Sequence, residues 1–455
     1  MIKDMTVGNP TRLILGFTLP LLVGNIFQQL YNMADTIIVG RTLGYKALAA
    51  VGGSSGSIMF LVFGFFFGLT SGLAVITAQR FGAHDDEGVR KSVAASTVIC
   101  TVITVFVTLF CVLGVRTILR IMDTPEEIFE DTCNYLIVIF YGAWTLVFYG
   151  MLSSIIRALG DSRTPLYFLI VSSLVNVVLD LYFILNLKSG VAGAAWATVI
   201  SQGLSGFLCL IFMIRKFPIL HLRLRDWEFN RAFYWEHLRV ALPMAFQFSV
   251  TAVGVLILQR ALNGFGPVAV AGYTAACRID QLSVQPLFSF SIAMATFAAQ
   301  NYGAGNIARI RSGVYQCSAM AIGFSLIAGV LLISFGSVLT EWFIGERNVD
   351  VIRCSQIYLN TNASCYAILA MLLIYRNVQQ GMGFAFIPFM AGVVELVLRI
   401  VGAFGLAVWL QYPGVCLSNP LAWVGATVIL AWDYCRTMKR LRAESSAGVL
   451  RRAEA

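Results

Sequence analysis

The sequence predicts an all-α membrane protein in which twelve transmembrane helices form two six-helix lobes related by a parallel pseudo-two-fold repeat. Three observations support this prediction: an apolar composition, a series of long apolar runs, and internal similarity at a nearly constant spacing. The 455 residues are 58% hydrophobic and 12% charged, and the mean hydropathy is +0.79. Soluble chains carry about twice this charged fraction. The composition therefore excludes a soluble globular protein.

Apolar runs of transmembrane length occur twelve times along the chain. A helix needs about 20 mostly apolar residues to cross the hydrocarbon core of a bilayer. The first run is too long for the apolar region of a cleavable signal peptide, so we expect it to remain in the membrane. The predicted spans are 11–39, 47–78, 91–115, 132–156, 164–186, 190–214, 237–262, 270–300, 308–335, 352–376, 384–410 and 416–436.

The distribution of basic residues predicts the orientation of these spans. With both termini in the cytoplasm, the inner connections and tails, counted with the adjoining span ends, carry 22 of the 32 Lys and Arg residues, the outer ones carry 8, and two lie deep within spans. Cytoplasmic loops of membrane proteins are enriched in Lys and Arg. The net charge of +9 then faces the anionic headgroups of membrane lipids rather than a nucleic acid. We predict a monomeric, multi-pass protein of the plasma (inner) membrane with both termini cytoplasmic.

The two halves of the chain are similar to each other. The segment AQRFGA at 78–83 recurs as AQNYGA at 299–304, and the Leu-Pro pair at 19–20 recurs at 242–243. The offset between matching positions is nearly constant and returns helix 1 onto helix 7, so both copies cross the bilayer in the same direction. We predict an N-lobe of helices 1–6 at 1–214, a cytoplasmic linker at 215–236, and a C-lobe of helices 7–12 with a basic cytoplasmic tail at 237–455.

Each lobe carries a proline inside its first helix. Pro20 and Pro243 lack the backbone N–H that would donate a hydrogen bond within the helix, and this loss weakens the helix locally. The sequence therefore predicts a hinge at Pro20 and another at Pro243. A static kink at either proline is the alternative interpretation.

Two carboxylates lie inside apolar runs, Asp35 in helix 1 and Asp180 in helix 5. A charge at the bilayer centre costs roughly 2.5 to 3.5 kcal/mol on insertion scales, so ionisable residues there are usually functional. Asn176 lies one helical turn before Asp180 and therefore on the same face of the helix. Counting about 1.5 Å per residue from the outer ends of the spans places these side chains and Thr198 of helix 6 roughly 7 to 12 Å below the outer surface.

These four side chains have the chemistry of a cation or proton site. Two carboxylates, an amide oxygen and a hydroxyl are the hard oxygen ligands that a small cation accepts. Two carboxylates in one desolvated pocket also favour binding of a proton. We predict a cation-binding or proton-binding site formed by Asp35, Asn176, Asp180 and Thr198. The alternative is that Asn176 and Asp180 only hydrogen-bond to neighbouring helices.

Two further groups of charged residues lie within predicted spans. Glu395 and Arg399 are four residues apart on helix 11, so they share a face and are predicted to form an internal ion pair. A structural role and a gating role for this pair both stay open. Arg278 and Asp280 on helix 8 are two residues apart and cannot face each other. We expect them to pair across helices.

Other functional classes lack the motifs that they require. All ten cysteines lie in or at the ends of apolar runs, where cysteine acts as a small hydrophobic residue. No Cys or His spacing indicates a metal site, no GxxxxGK[ST] phosphate loop is present, and no nucleophile and base cluster at membrane depth. We predict no enzymatic activity, no metal site and no cofactor. A channel stays an alternative, although a chain of two lobes does not need to assemble around a filter.

Three segments resemble the multidrug and toxic compound extrusion (MATE) family of bacterial transporters, whose superfamily includes lipid-linked oligosaccharide flippases. They are NMADTIIVG at 32–40, AQRFGA at 78–83 and RALGDSRTP at 157–165, and the likeness extends over the twelve predicted helices. The resemblance implies an antiporter that exports a small-molecule substrate, an amphipathic, cationic drug or toxic compound, in exchange for Na+ or H+. A flippase for a lipid-linked precursor is the alternative. Such a flippase requires a strongly basic cavity, whereas only two arginines, Arg278 and Arg399, lie away from the ends of the predicted spans.

The resemblance also implies roles for particular residues. In MATE relatives with a cation site in the N-lobe, an Asp on helix 1, an Asn and an Asp on helix 5, and a Thr on helix 6 form that site. The matching residues here are Asp35, Asn176, Asp180 and Thr198. Other members carry acidic residues on helices 7 and 10, where this chain offers only Gln247, Asn360 and Asn362. We therefore expect no coupling site in the C-lobe.

Overall fold

The structure is a computed structural model that describes residues 3–345 and 348–453, with side chains as far as residue 444. Every regular element in these ranges is helical. Ten helices are long and apolar enough to cross a membrane, and two bent helix pairs bring the number of spans to twelve. The predicted all-α class with twelve transmembrane helices is confirmed.

The first half of the chain contains eight α-helices. They are α1 (Pro10–Leu43), α2 (Tyr45–Gly52), α3 (Ser54–Gly82), α4 (Asp86–Ile121), α5 (Glu126–Tyr141), α6 (Ala143–Ala158), α7 (Arg163–Leu181) and α8 (Gly190–Lys216). A π-helical segment, Tyr182–Asn186, continues α7. α2 and α3 form one crossing segment, and α5 and α6 meet at a bend of 46° and form another. Two short 3-10 helices, Pro218–Leu220 and Leu224–Trp227, follow α8.

The second half contains nine α-helices. They are α9 (Arg231–Asn263), α10 (Gly266–Gly303), α11 (Ile307–Ile344), α12 (Val349–Ala363), α13 (Tyr366–Gly381), α14 (Phe386–Ile400), α15 (Ala407–Leu410), α16 (Tyr412–Cys416) and α17 (Ser418–Ala453). A π-helical segment, Val401–Leu406, continues α14. α12 and α13 meet at a bend of 51°.

The order of these elements repeats between the two halves. The bent pair α5–α6 recurs as α12–α13, and in both halves the next helix, α7 or α14, runs directly into a π-helical segment. α6 and α13 begin at Ala143 and Tyr366, and α7 and α14 begin at Arg163 and Phe386. The spacing is the same for both pairs of helices, and it identifies equivalent positions in this region. The parallel repeat predicted from the sequence is confirmed.

The chain divides into two compact units. The first unit contains the described residues up to Asp4 together with Leu19–Ala245, and the second contains Met5–Thr18 and the described residues from Phe246 onward. The unit boundaries therefore fall inside α1 and α9, close to Pro20 and Pro243. The lobe boundaries at 1–214, 215–236 and 237–455 stay a prediction, because the compact units are divided at other points.

The first unit has a continuous apolar core. α6 packs on α3, α4 and α8, and α7 packs on α8. The first half of α9 approaches α3 closely at two glycines: a Cβ added to Gly68 would lie 2.7 Å from the Cα of Ala245, and one added to Gly72 would lie 2.5 Å from the Cα of Ala241. Since only glycine leaves room for such an approach, these positions fix the packing between α3 and α9.

The second unit holds the beginning of the chain in place. Met5 is fully buried, and its backbone N–H donates to Oε1 of Gln300 over 2.8 Å. The carbonyl oxygen of Met5 accepts from Nδ2 of Asn301 (3.1 Å). Gln300 and Asn301 belong to the second copy of the repeated segment, AQNYGA. The repeat therefore supplies the polar groups that anchor the N-terminal segment in this unit.

Candidate functional site

The predicted cation-site residues come together in the first compact unit. Asp35 lies on α1, Asn176 and Asp180 on α7, and Thr198 on α8. The carboxyl groups of Asp35 and Asp180 lie beside each other. Asn176 and Asp180 are both 0% exposed. The residues that were predicted to lie at one depth therefore lie close together, on three different helices.

The amide of Asn176 links Asp180 on α7 to the backbone of Thr198 on α8. In the amide orientation that satisfies both ends, its Nδ2 donates to Oδ2 of Asp180 (2.9 Å) and its Oδ1 accepts from the backbone N–H of Thr198 (3.2 Å). The Thr198 hydroxyl itself donates to the carbonyl of Ala194 (3.1 Å). These bonds hold α7 against α8 and fix the direction in which the Asp180 carboxyl points.

Each carboxyl keeps one oxygen without a partner. Oδ1 of Asp35 and Oδ1 of Asp180 are both buried and accept no hydrogen bond from the part of the chain that the structure describes. Buried polar atoms normally have a partner, and two carboxylates at close range in an apolar interior repel each other strongly. A proton or a small cation placed between these groups would satisfy the orphaned oxygens and remove the repulsion.

Two tyrosines that the sequence did not single out border the cluster. Tyr31 lies beside Asp35 and Thr198, and Tyr135 of α5 lies beside Asp35, Tyr31 and Asp180. Both rings are buried. Tyr31 precedes Asp35 by one helical turn and so shares its face, a signal that the sequence contained. Tyr135 gave no such signal, because it is on a helix without membrane-embedded charges.

The predicted pairing of Glu395 with Arg399 is wrong as to the partner. Glu395 of α14 forms its ion pair with Arg376 of α13. All three side chains are at most 7% exposed. The i, i+4 spacing placed Glu395 and Arg399 on one face, but the neighbouring helix presents a guanidinium directly to Glu395. Arg376 is the last residue of the predicted span 352–376, and it was therefore assigned to a cytoplasmic connection.

Arg399 has different surroundings. Its Nε donates to Oδ1 of Asn419 over 3.1 Å. A Cβ added to Gly254 of α9 would lie 2.6 Å from Nη1 of Arg399. The absence of a side chain at Gly254 therefore makes room for the guanidinium, which is held by an amide oxygen rather than by a carboxylate.

Asp280 has partners on other helices, as expected, but they are tyrosines and not a basic residue. Its carboxyl accepts hydrogen bonds from the hydroxyls of Tyr358 (3.3 Å) and Tyr366 instead. Arg278 is exposed, two residues away along α10. The prediction overlooked tyrosine as a partner because only opposite charges were considered.

The fold and the buried carboxyl cluster define a polytopic membrane transporter built from two repeated halves. The family model MatE matches residues 20–182 and 243–404, which are equivalent stretches of the two halves. The chain belongs to this family, the multidrug and toxic compound extrusion transporters. The resemblance noted in the sequence is thereby confirmed.

Known relatives and solved structures agree with this assignment. The chain is 29% identical to the probable multidrug resistance protein YpnP of Bacillus subtilis over 93% of this chain and 91% of YpnP. It is 30% identical to the probable multidrug resistance protein YoeA of the same organism over 70% of this chain and 69% of YoeA. A crystal structure of a MATE protein in complex with MaL6 superposes with a TM-score of 0.90 at 24% identity, covering 97% of this chain and 99% of that one.

Proposed function

We propose that this protein is a secondary active antiporter that exports amphipathic, cationic drugs or toxic compounds in exchange for Na+ or H+. Membership of the MATE family supports drug efflux as the general activity. The coupling site in this proposal consists of Asp35, Asn176, Asp180 and Thr198. The observation that carries it is the pair of adjacent buried carboxyls, each with an unpartnered oxygen.

The same cluster explains how an ion could drive transport. A coupling ion shifts a conformational equilibrium only by its different affinity for the two states. Neutralising one charge of a close carboxyl pair in a low-dielectric interior removes a strong repulsion, so an ion bound there can favour one conformation over another. Export therefore follows ion binding at Asp35 and Asp180, and ion release resets the cycle.

The setting of this activity is the plasma membrane. We infer a monomer that spans the inner membrane many times, with both termini in the cytoplasm and with its basic connections against lipid headgroups. The alternative, a flippase for a lipid-linked precursor, is less well supported. Such a substrate calls for a strongly basic cavity, and of the two buried arginines that the structure describes, Arg376 and Arg399, the first is neutralised by Glu395 and only the second is held by an amide oxygen.

Transport in proteoliposomes tests the proposed coupling. We expect efflux of a fluorescent cation such as ethidium only when an opposing Na+ or pH gradient is imposed, because an antiporter needs the counter-ion to return. Imposing the two gradients separately identifies the ion, and collapsing each with its ionophore is the control. Efflux at the same rate without either gradient would indicate a channel and contradict the proposal.

Pro20 and Pro243 are proposed hinges for the conformational change. Pro20 lies fifteen residues before Asp35, roughly 22 Å along α1, so a bend there would act at a distance from the carboxyl pair. Thr42 on α1 and Leu187 after α7 are exposed and both belong to the first unit. We expect the distance between spin labels at these positions to change with pH or Na+, and to stay constant in Asp35→Asn. A variant that responds like the parent would exclude this coupling.

A further inference from the structure

The connection between α8 and α9, residues 217–230, exposes large apolar side chains outside the predicted spans. We call its residues 222–229 the linker strip. The exposed apolar side chains of the linker strip are Leu222, Leu224, Trp227 and Phe229, and Leu224 is 95% exposed. Exposed apolar side chains on the spans face lipid, whereas a group of them in a connection indicates a surface that binds a partner or a membrane.

Other residues of the connection fasten it to the first unit. Phe217 and Leu220 are buried. Asp226 is 2% exposed, although it lies within the linker strip. Its Oδ2 accepts from the backbone N–H of Arg223 (2.7 Å) and lies 3.5 Å from Nε of Arg90 on α4. The apolar side chains of the linker strip are therefore exposed while the backbone around them is held in a defined conformation.

The contacts of the connection place it at the boundary between the apolar core of the bilayer and water. Arg90, which holds Asp226, directly precedes the predicted span 91–115, and the spans on either side of the connection end at 214 and begin at 237. Tryptophan rings and amphipathic segments are typical of this boundary. The linker strip therefore lies at the level of the lipid headgroups.

The surface around the linker strip is basic. Among residues 215–231, all of which the structure describes, one exposed side chain is acidic, that of Glu228, and five are basic. The basic residues are Arg215, Lys216, Arg223, Arg225 and Arg231. Basic residues at a membrane surface are attracted by anionic lipids. A soluble protein would have to reach the linker strip between the headgroups, so a lipid surface fits this position better.

We propose that the linker strip docks into an anionic lipid surface. Its four apolar side chains insert between the lipid headgroups, and Arg223 and Arg225 bind the phosphate groups, whose geometry a guanidinium matches. This inference rests on the proposed membrane setting and is independent of the coupling ion and of the exported compound. It gives the connection a second role besides joining α8 to α9, because the docked strip anchors this end of the first unit at the headgroup level.

Photo-crosslinking of the full-length protein tests the insertion. Leu224 is replaced by the photoreactive residue benzoylphenylalanine, and the protein is illuminated in intact cells and in nanodiscs that contain phosphatidylcholine and phosphatidylglycerol. Because Leu224 is exposed, we expect a parental melting temperature and size-exclusion profile, and adducts with the acyl chains of lipids. The same replacement at Glu444, an exposed position beyond the last predicted span, 416–436, is the matched control and should give no lipid adduct.

Substitution of the two arginines tests the preference for anionic lipid. In mixed nanodiscs we expect the adducts at position 224 to be enriched several-fold in phosphatidylglycerol relative to its share of the lipid, since nearby basic residues attract it. Arg223→Gln combined with Arg225→Gln should reduce this enrichment by about twofold or more. Arg120→Gln combined with Lys188→Gln removes two exposed charges near the opposite ends of α4 and α8 and should preserve the enrichment.

The outcomes differ from those that test the proposed function. Acyl-chain adducts whose enrichment is lost in the Arg223 and Arg225 variant support the docking. Absence of lipid adducts at position 224, or protein adducts in their place, would overturn it and leave ion-coupled efflux unaffected. Equal enrichment in the two double variants would overturn the role of the arginines. Efflux that needs no ion gradient would contradict the proposed antiporter and leave the adducts unchanged.

Discussion

Asp35→Asn and Asp180→Asn are each expected to abolish ion-coupled efflux while the protein stays folded. Asparagine has nearly the volume of aspartate but neither charge nor a titrating proton, so the carboxyl pair loses the property that an ion would neutralise. The change also removes the repulsion between two buried carboxylates, so we expect a melting temperature equal to or above that of the parent. Efflux under imposed gradients and thermal unfolding in detergent measure the two effects.

A matched substitution separates the site from the general loss of a carboxylate. Asp131→Asn makes the same chemical change at an exposed position on α5 and should transport like the parent. A decrease in the efflux rate of about tenfold corresponds to about 1.4 kcal/mol of activation free energy, and smaller losses would not support a coupling site. Parental efflux in Asp180→Asn would refute the assignment, because Asp180 is the fully buried member of the pair.

Glu395→Gln is expected to lower the yield of folded protein. The substitution leaves the guanidinium of Arg376 buried without a counter-charge, and breaking a buried ion pair in this way costs about 3 to 5 kcal/mol. The cost is a large part of the stability of a typical domain. Expression level, the monodisperse fraction after extraction and the melting temperature measure it.

Two comparisons distinguish a structural from a gating role for this pair. Glu130→Gln breaks the exposed ion pair with Arg116, whose side chains are 63% and 55% exposed, and should change stability by about 1 kcal/mol or less. The double variant Glu395→Leu with Arg376→Met replaces the buried pair by apolar groups and should recover the yield. A Glu395→Gln protein that is well expressed but inactive would instead place Glu395 in the transport mechanism.

The sequence was sufficient to predict the class of fold and to predict that Asp35, Asn176, Asp180 and Thr198 lie together. Twelve apolar runs require twelve buried hydrogen-bonded helices, since no other open structure satisfies the backbone in a bilayer. Asn176 and Asp180 share a face by their spacing, and equal depth placed Asp35 and Thr198 at the same level. Depth gives only the position of a side chain along the membrane normal. The structure adds that α1, α7 and α8 bring these side chains next to one another.

The sequence failed where a partner comes from a neighbouring helix. Helical spacing relates Glu395 to Arg399 but contains no information on which residue of α13 faces them, so Arg376 was overlooked. Tyr358 and Tyr366 were overlooked for a related reason. Tyrosine is common in membrane proteins, and its hydroxyl becomes significant only when a bend between helices brings it to a carboxyl such as Asp280.

The guanidinium of Arg399 shows how far the two copies of the duplicated half have diverged. The spacing that relates the start of α7 to the start of α14 also relates Asn176 to Arg399 and Tyr31 to Gly254. In the first copy this position holds an amide beside Asp180, where the proposed mechanism binds an exchangeable cation, whereas in the second copy it holds a guanidinium that is covalently attached to the chain. An exchangeable ion can leave its site, but the guanidinium cannot. The positive charge at this position of the second copy is therefore permanent.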